Sequence, residues 1–156
     1  MKILFVCTGN TCRSAMAAAI ARRVASERGL GDVEIASAGT SAWEGAPASD
    51  GALLVGIEHQ LDLNEHRSQQ LTRELVAAHD VVLAMGPHHL ERIVALGGGD
   101  HAFLLTDFAS RGSSQRAISD PMGSDLDVYR TTFEELDREI RRVFDRLVAE
   151  RLSDQP

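Results

Sequence analysis

No stretch of the sequence is apolar over the length that a membrane-spanning helix needs, so no membrane partner is expected. An excess of positive charge is also missing: 16 Lys and Arg stand against 23 Asp and Glu, for a formal net charge of −7. That balance argues against nucleic acid as a partner. It also means that the molecule as a whole repels phosphorylated partners, so any affinity for anions has to be built locally. Lys2 is the only lysine among the 16 basic residues, a bias of composition with no functional weight. Cysteine is scarce: Cys7 and Cys12 lie close together, with no further pair to build a disulfide framework, and a reducing cytoplasm is the compartment that fits. No Cys/His spacing resembles a zinc site, the neighbours His88 and His89 read as solvated, and neither metal nor cofactor is expected. The N-terminus opens directly on a strand pattern, so no secretory signal is expected before the fold.

What the sequence does carry is concentrated in residues 7–14, Cys7-Thr8-Gly9-Asn10-Thr11-Cys12-Arg13-Ser14, straight after the apolar run Ile3-Leu4-Phe5-Val6. This is Cys-x5-Arg followed by a hydroxyl, between an expected strand and an expected helix. A loop of that length can curl so that successive backbone N–H groups face one anion. The helix after it adds its positive end. Arg13 offers a planar fork matched to two phosphate oxygens. Cys7 then sits at the bottom of an electropositive bowl, the surroundings that make a cysteine nucleophilic. A sulfur nucleophile beneath a bound phosphoryl group points to phosphatase chemistry through a phosphocysteine. The plainer reading is a strand–turn–helix junction with two packing cysteines. Gly9, Asn10 and Ser14 around the Cys-x5-Arg frame favour the phosphatase.

The segment resembles the active-site loop of the low-molecular-weight protein tyrosine phosphatase family. The variant with Thr8 and Thr11 is most similar to its bacterial protein-arginine phosphatase branch. The likeness continues through Ser37-Ala38-Gly39-Thr40, Asp80-Val81-Val82-Leu83-Ala84-Met85 and Asp120-Pro121. It implies a four-stranded sheet with the first strand central, and phosphorylated proteins as substrates. It also implies that Asp120 is the general acid and that Asn10, Ser14, Ser37 and His66 form a supporting network.

Periodicity places strands at residues 2–6, 33–38, 80–85 and 102–105. Helices are expected over 14–28, 49–58 and 71–78, from Pro87 onward, and from about Asp127 to the C-terminal end. Gly97-Gly98-Gly99 reads as a flexible turn, and 40–50 and 109–119 as loops. Alternating strands and helices argue for a single-domain α/β fold over residues 1–156, a doubly wound parallel sheet with helices on both faces. In such folds ligands sit beyond the carboxyl ends of the strands, where the Cys7 loop emerges.

In this reading Cys7 attacks phosphorus and Arg13 holds the phosphoryl oxygens. Asp120, aimed by Pro121, protonates the leaving group and then activates water. Taken alone, Asp-Pro is a common turn. Ser14 either donates to the sulfur or caps its helix. Asn10 suits a left-handed position in the loop. Thr11 is the clue to specificity: the resemblance places a bulkier aliphatic residue there in tyrosine-directed relatives. A short hydroxyl side chain leaves room for a planar guanidinium, although Thr11 also reads as an ordinary β-branched loop residue. Trp43 either stacks on a planar substrate group or covers the core. Met122 stands where the resemblance places an aromatic pair in tyrosine-directed relatives and a single aromatic in arginine phosphatases, and so departs from both. Cys12 is either a redox partner for Cys7 or a packing residue. An arsenate reductase would need redox cysteines beyond Cys12, and none follows. A non-catalytic phosphoresidue-binding module would need neither Cys7 nor Asp120.

Overall fold

Strand β1, Lys2–Cys7, is buried from Ile3 to Cys7, as its unbroken apolar run requires. In the computed structural model, which describes residues 1–154, it is the second strand of a four-stranded parallel sheet. Strand β2 (Glu34–Gly39) pairs with it on one side and β3 (Val81–Ala84) on the other. Strand β4 (Ala102–Leu104) closes the far edge, giving the order β2-β1-β3-β4.

The alternation of β1 divides the core in two. Ile3 and Phe5 face a cluster with Met16, Ile20 and Val24 of helix α1 (Arg13–Glu27) and Leu136, Ile140 and Phe144 of α6 (Leu126–Ser153). Leu4 and Val6 face a smaller cluster with Leu71, with Val76 of α3 (Arg73–Ala78) and with Ile93 of α4 (Pro87–Ile93). Helices therefore cover both faces, and the fold is the single-domain doubly wound α/β sheet that the pattern predicts. Helix α2 (Asp50–Glu58) starts on the side chain of Ser49, which accepts from Ala52 N, and packs against α6.

Two elements differ from the periodicity. Residues Leu105–Ser110 form a short helix, α5, directly after β4, whereas the sequence predicts strand to 105 and loop from 109. The segment is too short for a helical period, and Leu105, Phe108 and Ala109 fold inward onto the larger cluster. Helix α1 begins at Arg13, one residue earlier than expected, so Ser14 lies inside the helix and is not its cap. On α6, Arg141 pairs with Asp137 at 3.1 Å as the i,i+4 spacing predicts, while Arg138 turns to Glu139 instead of Glu134.

Candidate active site

The loop between β1 and α1 curls at the carboxyl edge of the sheet. Asn10 takes the left-handed conformation at φ 57°, as its residue type suits. Its side chain fixes the turn from both ends: Nδ2 donates to Ser14 Oγ at 2.8 Å, and Oδ1 accepts from Gln69 N at 3.0 Å. His66 Nε2 donates to the Asn10 carbonyl at 2.6 Å. The end of β2 passes so close that a Cβ on Gly39 would lie 2.3 Å from the Thr8 carbonyl oxygen. Only glycine fits there, which accounts for Gly39 in the Ser37-Ala38-Gly39-Thr40 segment.

Cys7, Thr8, Gly9, Thr11, Cys12, Arg13, Asp120 and Met122 line one cavity of about 180 Å³. Cys7 is buried, and its Sγ lies 2.9 Å from Ser14 Oγ. Arg13 is also buried; Nη1 donates to the Ile118 carbonyl at 3.1 Å, and Nη2 lies 3.5 Å from Asp120 Oδ2. Its Nε has no hydrogen-bond partner among the described residues. A buried guanidinium N–H without an acceptor is costly, and an anion in the cavity supplies one. Asp120 is half-exposed, with Oδ1 accepting from Met122 N at 3.0 Å. Arg13 thus joins the loop of residues 7–14 to the loop that carries Asp120.

Cys12 differs from Cys7. Burial pushes its thiol up to about 12, and the neighbouring Cys7 and Asp120 push the same way, so it is a thiol at neutral pH. Both cysteines are free.

The structure does not bring every expected residue to this cavity. Ser37 and His66 line a separate cavity behind the loop, with Arg22, Arg67 and Gln69. Ser37 joins the network only through its carbonyl, which accepts from Gln69 Nε2 at 2.9 Å. Trp43 is 85% exposed and lines neither cavity, so it does not cover the core.

The reading of His88 and His89 as solvated holds for His88, which is exposed, and is corrected for His89. His89 is 0% exposed, its ring 3.8 Å from that of His88, and its Nε2 lies 2.8 Å from Thr8 Oγ1. Burial first, then His88 and Arg13, pushes it down to about 4. Helical spacing hides this: His89 is the third residue of α4 and meets Thr8 only across the sheet edge. The sequence also gives no sign of Gln69, which meets Asn10 and Ser37 from a loop. Arg116 ties the acid loop to α6 through Glu135 and Glu139; the i,i+4 spacing of those two glutamates was the available signal.

A consequence for stability follows. Burial also lowers the pKa of His66. An unfolded histidine binds its proton near pH 6.5, and the folded chain does so only at lower pH. The contribution of these two histidines should be level above about pH 6.5 and fall as pH drops from there toward 4, with His89 alone accounting for up to about 3 kcal/mol. Urea melts of wild type and His89→Gln between pH 7 and 4.5 check this, the variant showing the shallower fall.

A cysteine held under a curled backbone loop, a buried arginine fork and an aspartate across a small cavity define an enzyme that moves phosphoryl groups. The model of the low molecular weight phosphotyrosine protein phosphatase family matches residues 2–153, and the chain belongs to that family of protein phosphatases. It is 37% identical to a protein-arginine-phosphatase of Bacillus subtilis, over 97% of this chain and 99% of that one. It is 40% identical to a protein-arginine-phosphatase of Geobacillus stearothermophilus, over 96% and 97% of the two chains. Among solved structures, a YwlE arginine phosphatase whose mutant active-site serine is phosphorylated superposes with a TM-score of 0.85. The two share 36% identity, with 99% of this chain and 97% of that one covered.

Proposed function

We propose that this phosphatase acts on phosphoarginine side chains of proteins. The observation that carries the reading is Thr11, whose short hydroxyl side chain lines the cavity with Cys7 and Asp120, and among the described residues no aromatic ring lines it. A phenyl ring gains most of its binding from such rings, whereas a guanidinium is polar and is served by a hydroxyl. The two relatives named protein-arginine-phosphatases support the same substrate. The free cysteine pair and the net charge favour a reducing cytoplasm and protein rather than nucleic-acid partners.

In the first step Cys7 attacks phosphorus as the thiolate, an S–P bond forms and the P–N bond breaks. Asp120 gives its proton to the departing guanidino nitrogen. In the second step Asp120 takes a proton from water, which attacks phosphorus and frees Cys7. Arg13 and the backbone N–H groups hold the equatorial oxygens through both steps. Ser14 donates to the sulfur when it leaves. Cys12 is a thiol beside the nucleophile and does not compete for the phosphoryl group.

Asp120→Asn keeps the size and removes the proton. It should lower kcat on a phosphopeptide by about a hundredfold or more, with a smaller loss on an aryl phosphate whose leaving group needs no proton. Full activity of Asp120→Asn on a peptide would remove Asp120 from this role. The substrate itself is tested by kcat/KM on matched peptides carrying phosphoarginine or phosphotyrosine: a preference for phosphotyrosine would make the chain a phosphotyrosine phosphatase of the same chemistry.

A further inference from the structure

We propose that Thr8 and His89 form a donor relay at the rim of the phosphate cavity. His89 donates from Nε2 to Thr8 Oγ1, and the Thr8 hydroxyl, its oxygen so occupied, donates its own hydrogen to an oxygen of the bound phosphoryl group. Thr8 is the group that touches substrate; His89 is a positioning residue that acts through it.

Three observations carry the relay. Thr8 lines the cavity directly after Cys7 and is exposed, whereas His89 behind it is fully buried, so the pair spans from core to cavity. Their contact is short, 2.8 Å between Nε2 and Oγ1. The remaining ring nitrogen, Nδ1, is buried with no partner among the described residues, and it faces Gly86, where an added Cβ would lie 3.5 Å away.

The last point selects the tautomer. A neutral imidazole carries one N–H and one bare nitrogen. Placing the proton on Nδ1 would bury an N–H with no acceptor. Placing it on Nε2 uses the N–H in the one hydrogen bond that the ring makes. Burial first, then His88 and Arg13, with Asp120 opposing, leaves the ring neutral at physiological pH. With Nε2–H donating, the Thr8 hydroxyl is not committed as a donor to His89 and is free to turn toward an anion.

Because the relay addresses phosphoryl oxygens and not the leaving group, it serves phosphoarginine and phosphotyrosine alike. Its test therefore stands apart from the choice of substrate. Thr8→Val should lower kcat/KM by about tenfold on both phosphopeptides and weaken inorganic phosphate binding by a similar factor. His89→Leu should do the same, and the double variant should be no worse than the poorer single one. Thr8→Ser, which keeps the hydroxyl, and His89→Gln, whose amide reaches as far as Nε2, should recover most of the loss. Long-range proton–nitrogen NMR of wild-type protein should find the proton of His89 on Nε2, a readout independent of activity. Overturning results are a proton on Nδ1, wild-type phosphate affinity in Thr8→Val, or a loss in Thr8→Val confined to one phosphopeptide.

Discussion

Cys7→Ser loses turnover by at least about a thousandfold while inorganic phosphate still binds. The two effects separate because they rest on different groups. In the proposed function phosphate is held by Arg13 and the backbone of residues 8–13, whose course is set by Asn10, His66 and Gln69 and not by the nucleophile. Turnover needs a nucleophile that is anionic near neutral pH, and serine beside Ser14 has no base to take its proton. The related YwlE structure with a phosphorylated active-site serine fits this expectation: a serine there can accept a phosphoryl group and hold it. Phosphate release followed over many turnovers, together with calorimetric titration of phosphate, checks both halves. Retained turnover would move the nucleophile elsewhere; lost phosphate binding would make Cys7 part of the anion cradle.

Thr11→Ile shifts the preference toward phosphotyrosine by about tenfold or more in the ratio of kcat/KM values. Thr11 stands on the wall of the cavity, and its backbone carbonyl accepts from Ser49 N at 2.8 Å, which fixes the position from which the side chain projects. Isoleucine takes away the hydroxyl that serves a guanidinium and adds apolar surface that serves a ring. The ratio is the right quantity, since a general loss of stability or of phosphate binding cancels in it. An unchanged ratio would leave Thr11 an ordinary loop residue and transfer selectivity to Met122.

How much of this was legible in the sequence depended on the range of each interaction. The phosphate loop was legible because its parts are neighbours: Cys7 to Ser14 fold on themselves, and Asn10 needs the backbone that its residue type tolerates. The layered sheet was legible because β1 and β3 are apolar runs between amphipathic helices. Asp120 was legible only through its proline and through resemblance, since what brings it to Arg13 is a long loop. That loop is held by Arg116 to Glu135 and Glu139, and by Ser119 hydroxyl contacts with Thr132 and Glu135 on α6. His89 misled for the same reason. Its neighbour His88 and the helix expected from Pro87 suggest a solvated position, while the fold buries it against a loop 81 residues away. Ser37 is the converse: close to the loop, as resemblance implied, yet joined to it by its backbone through Gln69.

The central step of the proposed function is transfer of a phosphoryl group from arginine to one sulfur atom. Rapid chemical quench of excess wild-type enzyme with a phosphoarginine peptide, followed by mass spectrometry of the segments that carry Cys7, Ser14 and Asp120, measures that transfer directly. The account predicts a transient phosphoryl group on Cys7, one per chain, appearing as the peptide loses its own and decaying as inorganic phosphate is released. Peptide dephosphorylation with no phosphoryl group on Cys7 at any time, or with the group on Ser14 or Asp120, would contradict it.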